Sequence, residues 1–252
     1  MGSFWRAAFV TVFCVCAAPT HNPALAGLQT LPLARFCERL ESALNRESKA
    51  DLNSLVAQDV LSDLEPRYES FRVDFPNAKW AVEPAEPLAD GRPTLLVHVT
   101  GTVTIGSLKY QLKAQKQMAI RLEKGKLSSQ EVLSQQSLLR SGKRLLKVTL
   151  NIPDVVLAGN RYEIDFIVDE PLGQAMLVGG LINLSDDQQL ATFKLHNLHL
   201  APLGGGGLFK SVRAPQRPGS QTWGMMLVHP DGIVTATKHV QILNRLAEKT
   251  RT

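Results

Sequence analysis

The chain has 252 residues and is poor in cysteine and in aromatic residues. Of its three cysteines, Cys14 and Cys16 lie in an N-terminal segment that we expect to be removed, so only Cys37 remains and no internal disulfide is expected. The apolar run at residues 7–18 is 12 residues long, whereas a helix that crosses a bilayer needs about 20. These features argue against a disulfide scaffold and against an N-terminal membrane anchor.

The first 26 residues have the order of an export signal. Arg6 precedes the apolar run, and Ala24-Leu25-Ala26 is the small-x-small pattern that a signal peptidase cleaves. We therefore expect residues 1–26 to be a signal peptide and the mature chain to begin at Gly27. The expected location is the periplasm or another exported compartment, the thylakoid lumen being one, because all of these use the same type of signal.

Charge is unevenly distributed along the chain, whose net charge is +5. Residues 37–92 contain 12 acidic and 7 basic side chains, whereas residues 109–147 contain 10 basic and 2 acidic ones. Electrostatic attraction to an anionic partner is therefore expected to be local to the middle of the chain. Aromatic residues are not interleaved with these charges, which argues against nucleic acid as the partner.

No catalytic or cofactor motif is present. His196 and His199 fall in a predicted strand, where residues three apart point to opposite faces and cannot easily share a metal ion. The segment Gly204–Gly207 has Phe209 where a phosphate-binding loop has glycine before its lysine. Cys37 lies in an apolar helical stripe, a poor setting for a nucleophile. We therefore expect no metal, no cofactor and, on balance, no enzymatic activity.

Two amphipathic helices are predicted at the start of the mature chain. The first, from about Leu33 to Arg46, has apolar residues at three- and four-residue spacing. The second begins after Ser48, which with Asp51 resembles a capping box, and its apolar period continues to Leu64. Pro66 is expected to end this helix, because proline removes a helical hydrogen bond.

A change to a period of two predicts an antiparallel meander after these helices. The long third strand has a single polar residue, Lys116, in its otherwise apolar row, and Ser141-Gly142-Lys143-Arg144 is predicted to be a domain boundary. The predicted strands lie around Trp80 and Val82, at Leu95–Ile105, at Leu108–Leu122 and at about Leu127–Leu139.

Beyond the boundary, short alternating strands and polar turns over about 100 residues predict a β-sandwich. A polar tail, residues 244–252, follows the last predicted strand. The strands are expected at Val148–Ile152, Tyr162–Val168, Met176–Leu184, Leu190–Leu200, Thr222–Val228 and Ile233–Leu243, with turns that include Ser185-Asp186-Asp187.

The order of the predicted helices and strands resembles two known fold families, one in each half of the chain. Two helices followed by a long meander resemble the NTF2-like (cystatin-like roll) superfamily, which implies an α+β domain over residues 27–142 whose sheet curls around the helices and leaves a cone. The segment from Ile152-Pro153-Asp154 to the final strand resembles an immunoglobulin-like sandwich, which implies an all-β domain over residues 145–243 without the cysteine pair of antibody domains. The combination is similar to exported bacterial proteins, including cyanobacterial ones, and implies no reaction.

The candidate site residues form two groups. Trp80, Tyr110 and Lys116 are the candidate lining of the cone, although core packing is an alternative for Tyr110. The second group is basic, and its alternative role is to keep the solvent face of the sheet soluble. The candidates for contact with an anionic partner are Lys109, Lys113, Arg121, Lys126, Lys143 and Arg144, with Lys124 and Arg140 nearby.

Three functional hypotheses follow. The first is an exported, non-enzymatic binding or adaptor protein that contacts an anionic protein or surface, including the periphery of a membrane. The second is a small-molecule carrier or an enzyme that uses the cone, and it requires a cavity of a few hundred Å³ with convergent polar groups. The third is a homodimer in which the sandwich binds a surface polysaccharide.

Overall fold

The computed structural model describes residues 23–184 and 198–244, with side chains from Pro32 onward. The described residues form three helices and twelve strands, most of them antiparallel. The helices are α1 (Pro23–Arg46), α2 (Lys49–Leu55) and α3 (Gln58–Asp74). The strands are β1 (Lys79–Ala85), β2 (Thr94–Ile105), β3 (Leu108–Glu123), β4 (Lys126–Gly142), β5 (Val148–Asn151), β6 (Val155–Leu157), β7 (Arg161–Val168), β8 (Leu177–Leu184), β9 (Ala201–Leu203), β10 (Gly207–Arg213), β11 (Gly219–His229) and β12 (Gly232–Leu243).

The first predicted helix is present but begins earlier, at Pro23 instead of about Leu33, and the second is corrected. Ser48 is the N-cap of α2, and its hydroxyl accepts a hydrogen bond from the Asp51 amide at 3.2 Å. The chain then leaves the helix at Val56 and begins α3 at Gln58. The prediction that Pro66 ends the helix is wrong, because α3 continues through it to Asp74. Packing of the aromatic side chains that follow Pro66 outweighs the lost backbone hydrogen bond.

Strands β1 to β4 form the predicted meander, and one sheet continues beyond it. The order in this sheet is β1-β2-β3-β4-β12-β11-β8-β9, with β6 paired in parallel to the end of β12. Strand β4 is antiparallel to β12, from Gly142 opposite Gly232 to Gln135 opposite His239. Within the predicted boundary, Ser141 is buried in β4, whereas Gly142, Lys143 and Arg144 are exposed as the strand ends.

Two hydrophobic cores lie on opposite faces of this continuous sheet. The first core joins the helices to β1–β4 and includes Leu139, whereas Leu138 packs against the second core. Adjacent residues of a strand point to opposite faces, so β4 contributes to both. The second core is enclosed by β12, β11 and β8 on one side and by the three-stranded sheet β10-β7-β5 on the other. The division into two domains stays a prediction.

The second half of the chain agrees only in part with the predicted strands. The strands around residues 148, 162–168, 177–184, 222–228 and 233–243 are present. Strands β9 and β10 were not predicted. The predicted strand Leu190–Leu200 lies mostly outside the described residues, and residues 198–200 are not in a strand. The turn at residues 185–187 also lies outside the described residues. Across the described helices, none is long and apolar enough to span a bilayer.

Candidate functional site

A cavity of about 350 Å³ lies between the helices and the meander. Its size falls at the lower end of the range typical for small-molecule sites. Most of its wall is apolar, and the polar groups are confined to a minority of the lining. The apolar wall includes Leu44, Leu64, Tyr68, Phe71, Trp80, Val97, Val99 and Met118. The polar lining consists of Glu65, Arg67, Gln115, Lys116, Gln130, Gln135, Gln136 and Ser137.

Trp80 is held in the cavity wall by side chains of α1 that bind the free edge of β1. The Asn45 side-chain amide donates to Trp80 O at 2.8 Å, and its oxygen accepts from Trp80 N at 3.0 Å. One helical turn earlier, Glu41 Oε2 accepts from Val82 N at 3.0 Å. Four helical residues and two strand residues both span about 6 Å, so the two spacings match. This arrangement covers the edge strand and fixes the Trp80 backbone.

Arg72 organises the aromatic end of the cavity. Its guanidinium carbon lies 4.2 Å from the centre of the Trp80 ring, and its side chain is only 10% exposed. It donates to Leu44 O at 2.6 Å and to Ala78 O at 3.3 Å. The Tyr68 hydroxyl also donates to Leu44 O, at 2.7 Å. A single cation thus connects the end of α1, α3 and the start of β1.

Lys116 projects from β3 into the same cavity and is partly buried. Burial is the main reason that the pKa of its ammonium group is lowered from 10.5 to about 8. The positive charge of Arg67 also lowers this pKa, and the carboxylate of Asp63 acts in the opposite direction. Across the described part of the chain, no acceptor lies within hydrogen-bond or ion-pair distance of Lys116 Nζ. Lys116 is therefore a partly buried cation without an ion-pair partner among the described residues.

The strand register places Lys116 in a polar row across three strands. Lys116 lies opposite Gln135 of β4, and Gln135 lies opposite His239 of β12, so the three side chains share one face of the sheet. Burial lowers the pKa of His239, and the positive charges of Lys116 and Lys238 lower it further. His239 is consequently neutral at neutral pH and cannot add positive charge to the row.

Two of the three predicted ligand residues line the cavity, and the third does not. Trp80 and Lys116 both line the cavity. Tyr110 is half-buried against the first core but is not part of the lining; it lies six residues from Lys116 on β3, about 20 Å away. The sequence signal for Lys116 was its interruption of an apolar row. Arg67, Gln135 and His239 were missed, because only α3 packing and strand register bring them to Lys116.

The six predicted partner residues are all exposed but do not form one patch. Tyr110 lies opposite Ser141, which puts Lys109, Lys143 and Arg144 near one end of the sheet. Arg121 and Lys126 lie toward the other end of β3, about 40 Å from Lys109, and Lys113 lies between. Lys126 Nζ donates to Asn53 O at 3.0 Å, and Arg144 is ion-paired with Glu170.

The cavity lining does not include Cys37, His98 or His199. Cys37 is 1% exposed, and burial raises the pKa of its thiol to about 11, so the thiol is protonated at neutral pH. His98 Nε2 lies 3.3 Å from Glu83 Oε1 on the meander. His199 is exposed, whereas His196 lies outside the described residues. Within residues 23–184 and 198–244 no group of three or more His, Cys, Asp or Glu side chains is arranged to hold a metal. Residues 204–206 connect β9 to β10, and Gly207 is the first residue of β10.

Comparison with known proteins gives one family match. The family model described as "Domain of unknown function (DUF8623)" matches residues 143–243. This segment begins where β4 ends and finishes with the last residue of β12. It therefore covers the second core and leaves the cavity outside the match. A comparison with curated proteins gives no match.

Proposed function

We propose that this protein is a small-molecule carrier that binds an apolar ligand in the cavity between its helices and its meander. The observation that carries the proposal is the cavity of about 350 Å³ with its largely apolar wall. This volume is within the range of small-molecule sites, which are mostly apolar with a few polar groups, as this lining is. Transfer of an apolar ligand from water into it is favoured by about 25 cal/mol per Å² of buried surface.

The wall is suited to binding because it is rigid where the ligand would lie. Trp80 is fixed by Asn45 through its backbone and by the Arg72 guanidinium over its ring. Tyr68 and Phe71 contact the same ring at centroid distances of 5.6 and 5.5 Å. A preformed wall lowers the ordering entropy that a ligand must overcome, which raises affinity for a given contact area.

A cavity-filling substitution tests the proposal. Ala114 of β3 lines the cavity, and Ala114→Trp is expected to occupy part of the ligand volume. Binding of the neutral apolar probe N-phenyl-1-naphthylamine, followed by its fluorescence, should weaken by at least about tenfold. Lys113→Trp is the matched control, because it adds the same indole to the exposed face one residue away. Equal probe affinity in wild type and in a folded Ala114→Trp variant would rule out this site.

The fold resemblance and the exported location belong to the same proposal. We propose an NTF2-like roll around the first core and an immunoglobulin-like sandwich around the second. Support for the sandwich comes from two facing sheets and from the parallel pairing of β6 with the end of β12. We also propose that the carrier acts in an exported compartment after removal of residues 1–26. The apolar run of the proposed signal lies outside the described residues, whereas its proposed cleavage motif, Ala24-Leu25-Ala26, lies at the start of α1.

A second proposed function is contact with an anionic membrane surface through the end of the sheet that carries the β2–β3 hairpin. There Ile105 and Leu108 are exposed apolar side chains, at 50% and 37%, next to Lys109 and near Lys143. Apolar tips flanked by cations are suited to an anionic bilayer surface. We also propose that the protein forms a homodimer.

Charge reversal near either end of the β3–β4 pair tests whether vesicle binding uses a defined surface or depends only on the total charge of the protein. The double variant Lys109→Glu, Lys143→Glu should weaken sedimentation with phosphatidylglycerol vesicles by at least about tenfold at low salt. The matched variant Arg121→Glu, Lys126→Glu changes net charge equally at the opposite end and should bind nearly as wild type. Equal losses in both variants would show that only total charge matters and would reject a defined contact surface.

A further inference from the structure

The charged groups of the cavity lining point to the ligand's head group. Three described lining residues carry a charge: Glu65, Arg67 and Lys116. Glu65 is paired with Lys49, whose Nζ lies 3.3 Å from its carboxylate, and Arg67 is paired with Asp63 at 3.0 Å. Only Lys116 among these three lacks a partner of opposite charge. Among the described residues, the cavity lining therefore carries one positive charge without an ion-pair partner.

The position of this charge suits an amphiphile. The two strand neighbours of Lys116 are uncharged, Gln135 on β4 and the apolar Val97 on β2. An ammonium group that is partly removed from water and has no hydrogen-bond acceptor in the protein is less stable than a fully hydrated one, so an anion that binds it offsets part of that desolvation cost. The surrounding apolar wall lowers the local dielectric constant and strengthens such a pair. The ligand that satisfies both surfaces has a negative head and an apolar body.

We propose that the ligand is a monocarboxylate with an apolar tail and that Lys116 is the residue that binds its carboxylate. This inference rests on the proposed carrier function. A single unbalanced cation matches a single negative charge, and the Glu65 carboxylate in the same lining disfavours a dianionic phosphate head. Met118, two residues from Lys116 on the same face, continues the apolar wall that would contact the tail.

A pair of ligands that differ only in the head group tests the inference. Decanoate and 1-decanol have the same tail, and each can be measured by displacement of N-phenyl-1-naphthylamine at pH 7. Wild type should bind decanoate at least about tenfold more tightly than decanol, the effect of one charge-assisted pair. Lys116→Met keeps a side chain of similar length without the charge, so it should bind decanoate no more tightly than decanol. Its affinity for decanol should stay within about threefold of wild type.

The pH profile of wild type provides a test that needs no variant. The titratable and charged groups that face Lys116 are Asp63, Glu65 and Arg67 of α3 and His239 of β12. The lowered pKa of about 8 means that the amine of the free protein loses its proton above that pH. Decanoate affinity should therefore fall as pH rises above about 8, whereas decanol affinity should stay constant.

The possible outcomes separate the two proposals. If neither ligand displaces the probe, the carrier function itself is rejected. If wild type binds decanoate and decanol equally, with no change above pH 8, the cavity binds apolar molecules but the carboxylate inference is rejected. A preference for decanoate that Lys116→Met abolishes supports both proposals. A preference that survives in Lys116→Met shows that another residue binds the head group and overturns the assignment of Lys116.

Discussion

The substitution Gly142→Ala should destabilise the protein by more than about 3 kcal/mol, because the added methyl has no space at the junction of the two cores. Gly142 has φ +130°, a conformation that alanine rarely adopts. A Cβ atom there would lie 2.3 Å from both Asp231 O and Gly232 Cα. Both are backbone atoms, so the clash is relieved only if β4 separates from the turn between β11 and β12. The free energy of unfolding in urea measures the loss.

Gly125 provides the matched control for this prediction. It also has a positive φ, +78°, but no atom lies within 4 Å of the position where its Cβ would be. Gly125→Ala should therefore cost only the backbone strain of a left-handed residue, about 1 kcal/mol. If Gly142→Ala and Gly125→Ala have the same stability, the close pairing of β4 with β12 is wrong, and the two halves are joined by a looser linker.

The substitution Arg72→Met should lower the free energy of unfolding by about 3 kcal/mol. Methionine keeps the apolar contact but removes the hydrogen bonds to Leu44 O and Ala78 O and the charge over the Trp80 ring. Because the side chain is 10% exposed, water replaces these interactions only in part. The Leu44 carbonyl near the end of α1 would keep only its bond from Tyr68.

Arg67, five residues earlier on α3, provides the comparison. Its side chain is 54% exposed and its ion pair with Asp63 is a surface pair, which contributes less than about 1 kcal/mol. Urea denaturation of Arg67→Met should therefore differ from wild type by less than about 0.5 kcal/mol. An Arg72→Met variant that is as stable as Arg67→Met would contradict the organising role of Arg72.

Local pattern predicted the first half of the fold well because its signals depend on neighbouring residues. The cap at Ser48 and the alternation along β3 are set by backbone geometry within a few residues. Pro66 was misread because the helix through it depends on aromatic packing against β1, which no local rule contains. The pairing of β4 with β12 joins residues about 100 positions apart and leaves no periodic trace.

The candidate site was predictable only where a residue broke a pattern. Lys116 could be identified because it interrupts an apolar row, and Trp80 because it lies on the apolar face of a short strand. The absence of a counter-ion at Lys116 depends on where Asp63 and Glu65 find their own partners, which requires coordinates. Coordinates are also needed for the basic residues. They lie in one region of the sequence, but the structure places them toward the two ends of a long strand.

The pKa of Lys116, measured by NMR of the lysine side chains with and without decanoate, tests the central claim most directly. The signal is assigned by its absence in Lys116→Met. We predict a pKa of about 8 in the free protein and a rise to 10.5 or above once decanoate is bound, because the carboxylate stabilises the ammonium form. A pKa of 10.5 in the free protein, or one that saturating decanoate leaves unchanged, would contradict the account of this cavity as a carboxylate site.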